Sequence, residues 1–539
     1  MPSEMSAGYK PLLFTTTVRN PERIKKYMFV LSKFEGQILT DSICEQICAE
    51  AIRVGLYRPM KKQLTSVKAK WRGSEKGDFA ARVLSDAEVA WMLRNNPQKH
   101  KEAGFGYGWP SRFQTQFMIT RQLGFAYYEV GERIAISALG KRLAEQITVS
   151  EDGDSLVVEE ADGGDEQEIF MHAMVKYHRD NPYLKVLNRN CPMVLLLKVI
   201  RLINADTRFH NCGITRREIL LLLFWKDDDA EAAYRMIVDL RLKHGYTPSK
   251  EVLLDEYCFK KILHAPPKVF DDDSLTKDYI DGYIRYMRLT GLVALRGAGT
   301  HLDVNHLMDA RIDYILANYS SYTTFTNRRE YFDYVASIDS GLLALKEKSV
   351  SRDMRYEYLS KWKDVYNWPQ LKNELAILSK KKSSTDAVLK FLDGPKRLEF
   401  LAALAVLTRR PMYKVCPNYH CDDEGLPTST AAGNQGDIEC YCDGGNVLLE
   451  VTLHEGTSQT KNEGWPVGRH LTDFATKHEP ASCVFVAPTI FEDTVSQFEW
   501  SRNKNGHITV AMTIDELIGV LDVEGDRLSA GNLTQNMEA

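Results

Sequence analysis

One spacing constrains this chain more than any other: Gly436-Asp437, twelve residues, then Glu450-Val451-Thr452. It lies inside Ala431-Ala-Gly-Asn-Gln-Gly-Asp437-Ile-Glu-Cys-Tyr-Cys-Asp-Gly-Gly-Asn-Val-Leu-Leu-Glu450-Val-Thr452. The segment reads as a strand, a turn at Gly444-Gly445 and a second, apolar strand from Val447 to Leu453. Such a hairpin can bring Asp437 and Glu450 to the same end of adjacent strands. Two carboxylates held close together repel, and a divalent cation relieves the repulsion. Mg²⁺ takes one or two protein carboxylates plus water and phosphate oxygens. The pattern therefore points to a metal-dependent phosphodiesterase site.

At 539 residues the chain is too long for one core, so several domains are expected. The formal net charge of −4 does not announce a nucleic-acid binder, and the distribution of charge has to be read instead. Ten cysteines are scattered behind a start, Met1-Pro-Ser-Glu-Met-Ser, that has no apolar signal region. Reduced thiols and a cytoplasmic location are the expectation. No apolar run is long enough for a membrane span, so no membrane partner is expected.

The first 150 residues read as mostly helical, with Asn20-Pro21-Glu22-Arg23 as a helix start. Between Arg53 and Lys76 stand eight basic residues, among them Lys61, Lys62, Lys68, Lys70 and Arg72, against one acidic residue, Glu75. A phosphate backbone is the natural partner of such a patch, although a lone basic run is also what a solvated helix face looks like. Ser111 to Leu143 then reads as a winged helix-turn-helix: an amphipathic helix to Leu123, a stop at Gly124, and a hairpin from Phe125 to Ile136. Arg112, Gln114, Gln116 and Arg121 are expected on its exposed face, where these residue types can read base edges.

Glu151 to Glu168 holds nine acidic residues and no basic ones, and reads as a solvated, flexible connection. Residues 169–318 form a second helical unit. In it, Thr215 and Glu218 are spaced as a capping box. A helix ending at Leu289-Thr-Gly291 precedes a hairpin to Val304, again the order of a winged helix. Arg285 and Arg288 suit structural ion pairs as well as a DNA face. Residues 319–380 are polar and aromatic and read as a helical linker.

Residues 381–539 hold the site. Pro395 to Val406 is a helix that is wholly apolar after Glu399. A buried charge there needs a partner or a metal, or else only the favour of a helix N-terminus. Lys461, Glu463 and His470 fall where a following helix could pack over the hairpin, and His470 could move a proton near neutral pH. Ser482 to Pro488 reads as a buried strand. Cys416, His420, Cys421, Cys440 and Cys442 match no standard zinc spacing. The fold class expected is thus multidomain α+β: a helical N-terminal half with winged helix-turn-helix modules, a helical linker and a C-terminal mixed α/β core.

In Phe14 to Arg23, Arg288 to Gly297, Ala431 to Asp437, Glu450-Val-Thr452, Gln459-Thr-Lys461-Asn-Glu463 and Arg469-His470, the chain resembles the AlwI family of type IIS restriction endonucleases, which includes site-specific nicking enzymes. That resemblance implies a PD-(D/E)xK nuclease core. It implies Asp437, Glu450 and the Val451 carbonyl as Mg²⁺ ligands, with Glu399, Glu463 and His470 as further site residues. Thr452 departs from the wider superfamily, which usually has Lys there. Thr supplies no cation, so more work falls on water activated by the metal, or on Lys461. The expectation is a Mg²⁺-dependent enzyme that binds a short asymmetric duplex DNA sequence through residues 1–150 and 169–318, and cuts a few base pairs outside it. One chain holds one site. Double-strand cutting would need transient pairing of two nuclease domains or a second subunit, and a cognate methyltransferase would accompany the system. The alternative is a winged-helix regulator whose C-terminal unit binds a ligand without catalysis.

Overall fold

The computed structural model describes residues 13–14, 18, 20–57, 84–152, 155–160, 166–209, 212–264, 274–523 and 528. Lys61, Lys62, Lys68, Lys70 and Arg72 of the basic stretch lie outside the described residues. The N-terminal half begins with a cap. The side chain of Asn20 accepts the Glu22 N–H at 3.3 Å, and Pro21–Arg23 forms a single tight turn that runs into helix α1 (Ile24–Ser32). Ile24, Tyr27, Met28, Val30 and Leu31 seat that helix in the core.

Helix α2 (Trp109–Gln122) follows the expected amphipathic segment. Gly124 ends it at φ +69°, and a Cβ there would run into the backbone of Val335 and Ala336. Strands β1 (Ala126–Tyr127) and β2 (Ala135–Ile136) then pair antiparallel, Ala126 opposite Ile136. The acidic 151–168 stretch departs from expectation. Part of it is strand: β3 (Ile147–Asp152) and β4 (Ser155–Glu160) form an antiparallel ribbon with Val149 opposite Val158, and a helix begins at Glu166. The β-branched residues Val149, Val157 and Val158 favour that state over coil.

In the second unit β5 (Ile214–Thr215), helix α3 (Ile280–Arg288), β6 (Val293–Arg296) and β7 (His301–Val304) give a three-stranded antiparallel sheet in the order β5-β7-β6. The stretch read as a linker is helical, and it is not loose. Helix α4 (Trp368–Ser379) buries Leu371, Leu375 and Leu378.

Helix α5 (Gly394–Arg409) opens on the Asp393 side chain, which accepts the Lys396 N–H at 3.3 Å. Every residue from Arg397 to Leu407 is buried, which is why the helix is apolar all round. After β8 (Lys414–Pro417) and the short pair β9 (His420–Cys421) and β10 (Pro427–Ser429) come β11 (Ile438–Tyr441) and β12 (Asn446–Val451). Helix α6 (Thr457–His478), β13 (Ala481–Ala487), helix α7 (Glu492–Asn505), β14 (Ile508–Thr513) and helix α8 (Ile514–Asp522) complete the unit. The sheet runs β14-β13-β12-β11-β8, with β8, β11 and β12 antiparallel and β12, β13 and β14 parallel. All seven residues of β13 are buried, as a strand covered on both faces requires.

Side chains alternate across this sheet. Val447, Leu449, Val484 and Val486 join the core under α5 and α8, and α4 packs against both helices. Leu448, Cys483 and Phe485 face Val467, Leu471 and Phe474 of α6 and Phe498 of α7. The two halves of the chain are tied by charge. Arg296 binds Asp303 at 3.1 Å, Asp423 at 2.7 Å and also Glu424, and Arg288 reaches Asp422 at 3.3 Å. Among the described residues, no helix is long and apolar enough to cross a membrane.

Candidate active site

The hairpin register decides where the two carboxylates go. Ile438 pairs with Leu449 and Glu439 with Leu448, so the antiparallel ladder, continued by one step, sets Asp437 opposite Glu450. Directly opposed residues share a sheet face. Asp437 Oδ2 accepts the Val451 N–H at 2.8 Å, which holds its carboxylate over the end of β12. Glu450 follows Leu448 on the face that looks at α6 and is 4 % exposed.

Glu450 is in an unfavourable place for a charge. Burial pushes its carboxyl well above the usual carboxylate range and Glu463 pushes it further, while hydrogen bonds with Asp437 act the other way. His470 Nδ1 lies 3.0 Å from Glu450 Oε1, and Nε2 lies 3.3 Å from the Gly433 carbonyl. Burial and the nearby Arg469 lower the proton affinity of the imidazole, against raising contributions from the Gly433 carbonyl, Glu463 and Asp473. A carbonyl can only accept, so Nε2 carries the proton. One further proton is then shared between Nδ1 and Glu450 Oε1.

Glu399 is 4 % exposed on α5 and accepts the Ala431 N–H at 3.1 Å, which pins the loop that leads to Asp437. Glu399, Ala431, Asp437, Val451, Thr452 and Glu463 line one cavity of about 480 Å³. Thr452 is 7 % exposed and its hydroxyl accepts the His454 N–H at 3.1 Å. The donors offered are carboxylates and a strand-end carbonyl, hard oxygens of the kind Mg²⁺ takes. The mutual repulsion of Glu450 and Glu463 is the charge such an ion would relieve, so the residues present fit it. Among the described residues, no three His, Cys, Asp or Glu groups form a ready-made metal cage, either here or at Cys416, His420, Cys421, Cys440 and Cys442.

Two groups of expectations are corrected. Lys461 is exposed and sits two residues before Glu463 on α6, so it lies about 200° around the helix from it. Glu463 and His470, seven residues apart, share a side of the helix, and Lys461 starts from the opposite side. The presumed base-reading face of α2 is not exposed either. Gln116 and Arg121 are each 2 % exposed. Arg121 donates to the Tyr128 carbonyl at 3.0 Å, pairs with Glu129 at 3.1 Å and stacks over Tyr128 and Tyr183, so its charge is consumed inside the fold. Arg112 is half-buried against His100 and the Tyr57 ring. Gln114 and Gln116 each keep a buried side-chain oxygen without a hydrogen-bond partner among the described residues.

The sequence reading missed a wall of the cavity. Asn20, Glu22, Arg23 and Lys26 line it alongside Asp437 and Glu463. The turn Asn20-Pro21-Glu22-Arg23 was legible as a helix start, but nothing local said what it faces.

The family model described as AlwI restriction endonuclease matches residues 121–367 and 345–518, most of the chain. The protein belongs to the AlwI restriction endonuclease family. It is a restriction endonuclease, a site-specific deoxyribonuclease, and the alternative of a non-catalytic regulator falls with that assignment. Among solved structures it is similar to the small subunit (R.BspD6I2) of the heterodimeric restriction endonuclease R.BspD6I, at 21% identity over 31% of this chain and 86% of that one, TM-score 0.26. It is also similar to restriction endonuclease FokI, at 11% identity over 98% of this chain and 97% of that one, TM-score 0.26. For FokI bound to DNA the values are 11%, 99%, 98% and 0.23. No curated protein matches the chain.

Proposed function

We propose that this endonuclease hydrolyses DNA at the Asp437–Glu450 pair with Mg²⁺ held by Asp437, Glu450 and the Val451 carbonyl. The observation that carries the reading is the opposition of Asp437 and Glu450 on one sheet face, with Glu450 buried beside a second acid, Glu463. The ion would supply charge to steady the phosphate and acidity to water. The chain's own groups hold the geometry. Asp437 is kept in place by the Val451 N–H, Glu450 by His470, and the Ala431 loop by Glu399. His470, which keeps a proton on Nε2 and shares one with Glu450, is placed to take or return a proton as the site fills.

In this reading residues 1–150 and 169–318 are recognition subdomains of winged-helix type, 319–380 connects, and 381–539 cuts a few base pairs outside the bound sequence. The helix-and-hairpin pieces α2–β1–β2 and α3–β6–β7 support the assignment of the two subdomains. With one site per chain, a single chain nicks one strand. Double-strand cleavage takes a second nuclease domain or another subunit, and a cognate methyltransferase would protect the host sequence. Plasmid incubated with Mg²⁺ is expected to be cut and plasmid in EDTA to stay intact. Asp437→Ala should lose cutting while still shifting the target duplex on a gel; full activity in that variant removes the site assignment.

A further inference from the structure

The proposed site lacks a cation where related nucleases place a lysine, and the two obvious replacements fail. Thr452 is neutral and occupied with the His454 N–H, and Lys461 lies on the other side of α6 from Glu463. The cavity itself shows where positive charge enters. The Lys and Arg residues lining it are Arg23 and Lys26, and both come from the N-terminal turn and α1, more than four hundred residues before Asp437. Arg23 is spent on structure, since its guanidinium donates to the Leu56 carbonyl. Lys25, the neighbour about 100° around α1, is 6 % exposed and reaches Glu166 at 3.9 Å, so it too is turned inward. Lys26 is half-buried and lines the same cavity as Glu399, Asp437 and Glu463. A lysine ammonium is a compact point charge on a flexible stem, suited to a non-bridging phosphate oxygen.

We propose that Lys26, carried by the N-terminal helix, is the cation that contacts the phosphate at the cleaved bond and does for this enzyme what position 452 cannot. It donates hydrogen bonds to the developing charge and transfers no proton. The proposal rests on the reading of Asp437 and Glu450 as the cutting site. It adds that the catalytic surface is shared between the two ends of the chain.

The test uses the full chain with Lys26→Met and Lys26→Arg. Lys26→Met should slow single-turnover cleavage roughly 100-fold, the usual effect of removing one transition-state donor. Lys26→Arg should recover much of that rate, and both should melt with the wild type. In EDTA, binding of a duplex that spans recognition and cut positions should show a log K against log salt slope smaller by about 1 in Lys26→Met. On a duplex that stops short of the cut position, the slopes should be equal. Wild-type cutting by Lys26→Met overturns the proposal, and so does an equal slope change on both duplexes, which would put the contact in recognition. Should Lys26→Met melt early, Lys26→Gln is read the same way. A failure of the underlying site would show separately, as cutting by Asp437→Ala with its salt slope unchanged.

Discussion

Glu218 and Glu450 are both buried carboxylates, 0 % and 4 % exposed, yet their surroundings are opposite. Glu218 receives Arg241 through two hydrogen bonds, at 2.7 and 2.8 Å, and the Thr215 N–H at 2.7 Å, while its own N–H is 3.2 Å from the Thr215 hydroxyl. Every demand of that charge is met inside its own unit. Glu450 faces Asp437, Glu463 and an imidazole of lowered basicity. One burial closes a structure. The other leaves a negative charge deficit of solvation that a substrate or ion can answer. A buried acid is informative about chemistry only when its neighbours fail to satisfy it.

The contrast can be broken by substitution. Glu450→Gln should cost cleavage roughly 10³-fold, since on the proposed reading it removes a metal ligand and with it several kcal/mol of charge stabilisation. Its melting temperature should hold or rise, because the amide replaces a carboxyl that burial already drives toward its neutral form. Glu218→Gln should behave in reverse. It strands the Arg241 charge at a cost of about 3–5 kcal/mol, read as lost urea or thermal stability, while the fraction that stays folded cuts normally. A smaller loss is expected from Gly436→Ala, whose added Cβ would meet Leu448 and come within 2.8 Å of Glu450 Oε1. Cutting should fall about 100-fold with binding retained, as a small displacement of a catalytic group does elsewhere.

The least effect concerns Glu22. Burial, then Asp393, push its carboxyl up to about 7. Its folded value lies above its unfolded one, so the folded chain binds the extra proton between the two. The penalty is absent below about pH 4.5 and grows as pH rises to about 7. Glu22→Gln should therefore raise the melting temperature at pH 8 and make no difference at pH 4; equal melting at both values would remove this account.

What was legible in the sequence follows from the range of the interactions. The hairpin was readable because alternation and the Gly444-Gly445 turn are local, and the register then leaves Asp437 and Glu450 no choice of face. The Thr215–Glu218 box was readable for the same reason, although its Arg241 partner was not. The rotation that separates Lys461 from Glu463 and His470 needed only the helical period, once all three are placed on one helix. The α2 face failed because Arg121 is claimed by Glu129 and Tyr183, contacts that amphipathic spacing does not encode. The Asn20–Lys26 wall failed most completely, since no periodicity joins residues so far apart in sequence.

That wall bears on how the protein could be taken apart. A nuclease fragment begun at residue 381 would carry Glu399, Asp437, Glu450, Glu463 and His470 but leave Asn20, Glu22, Arg23 and Lys26 behind. The cavity would open onto bulk solvent along one side. Grafting such a fragment onto another DNA reader would transplant the scissors without one of the blades' supports, unless the first helix travelled with it.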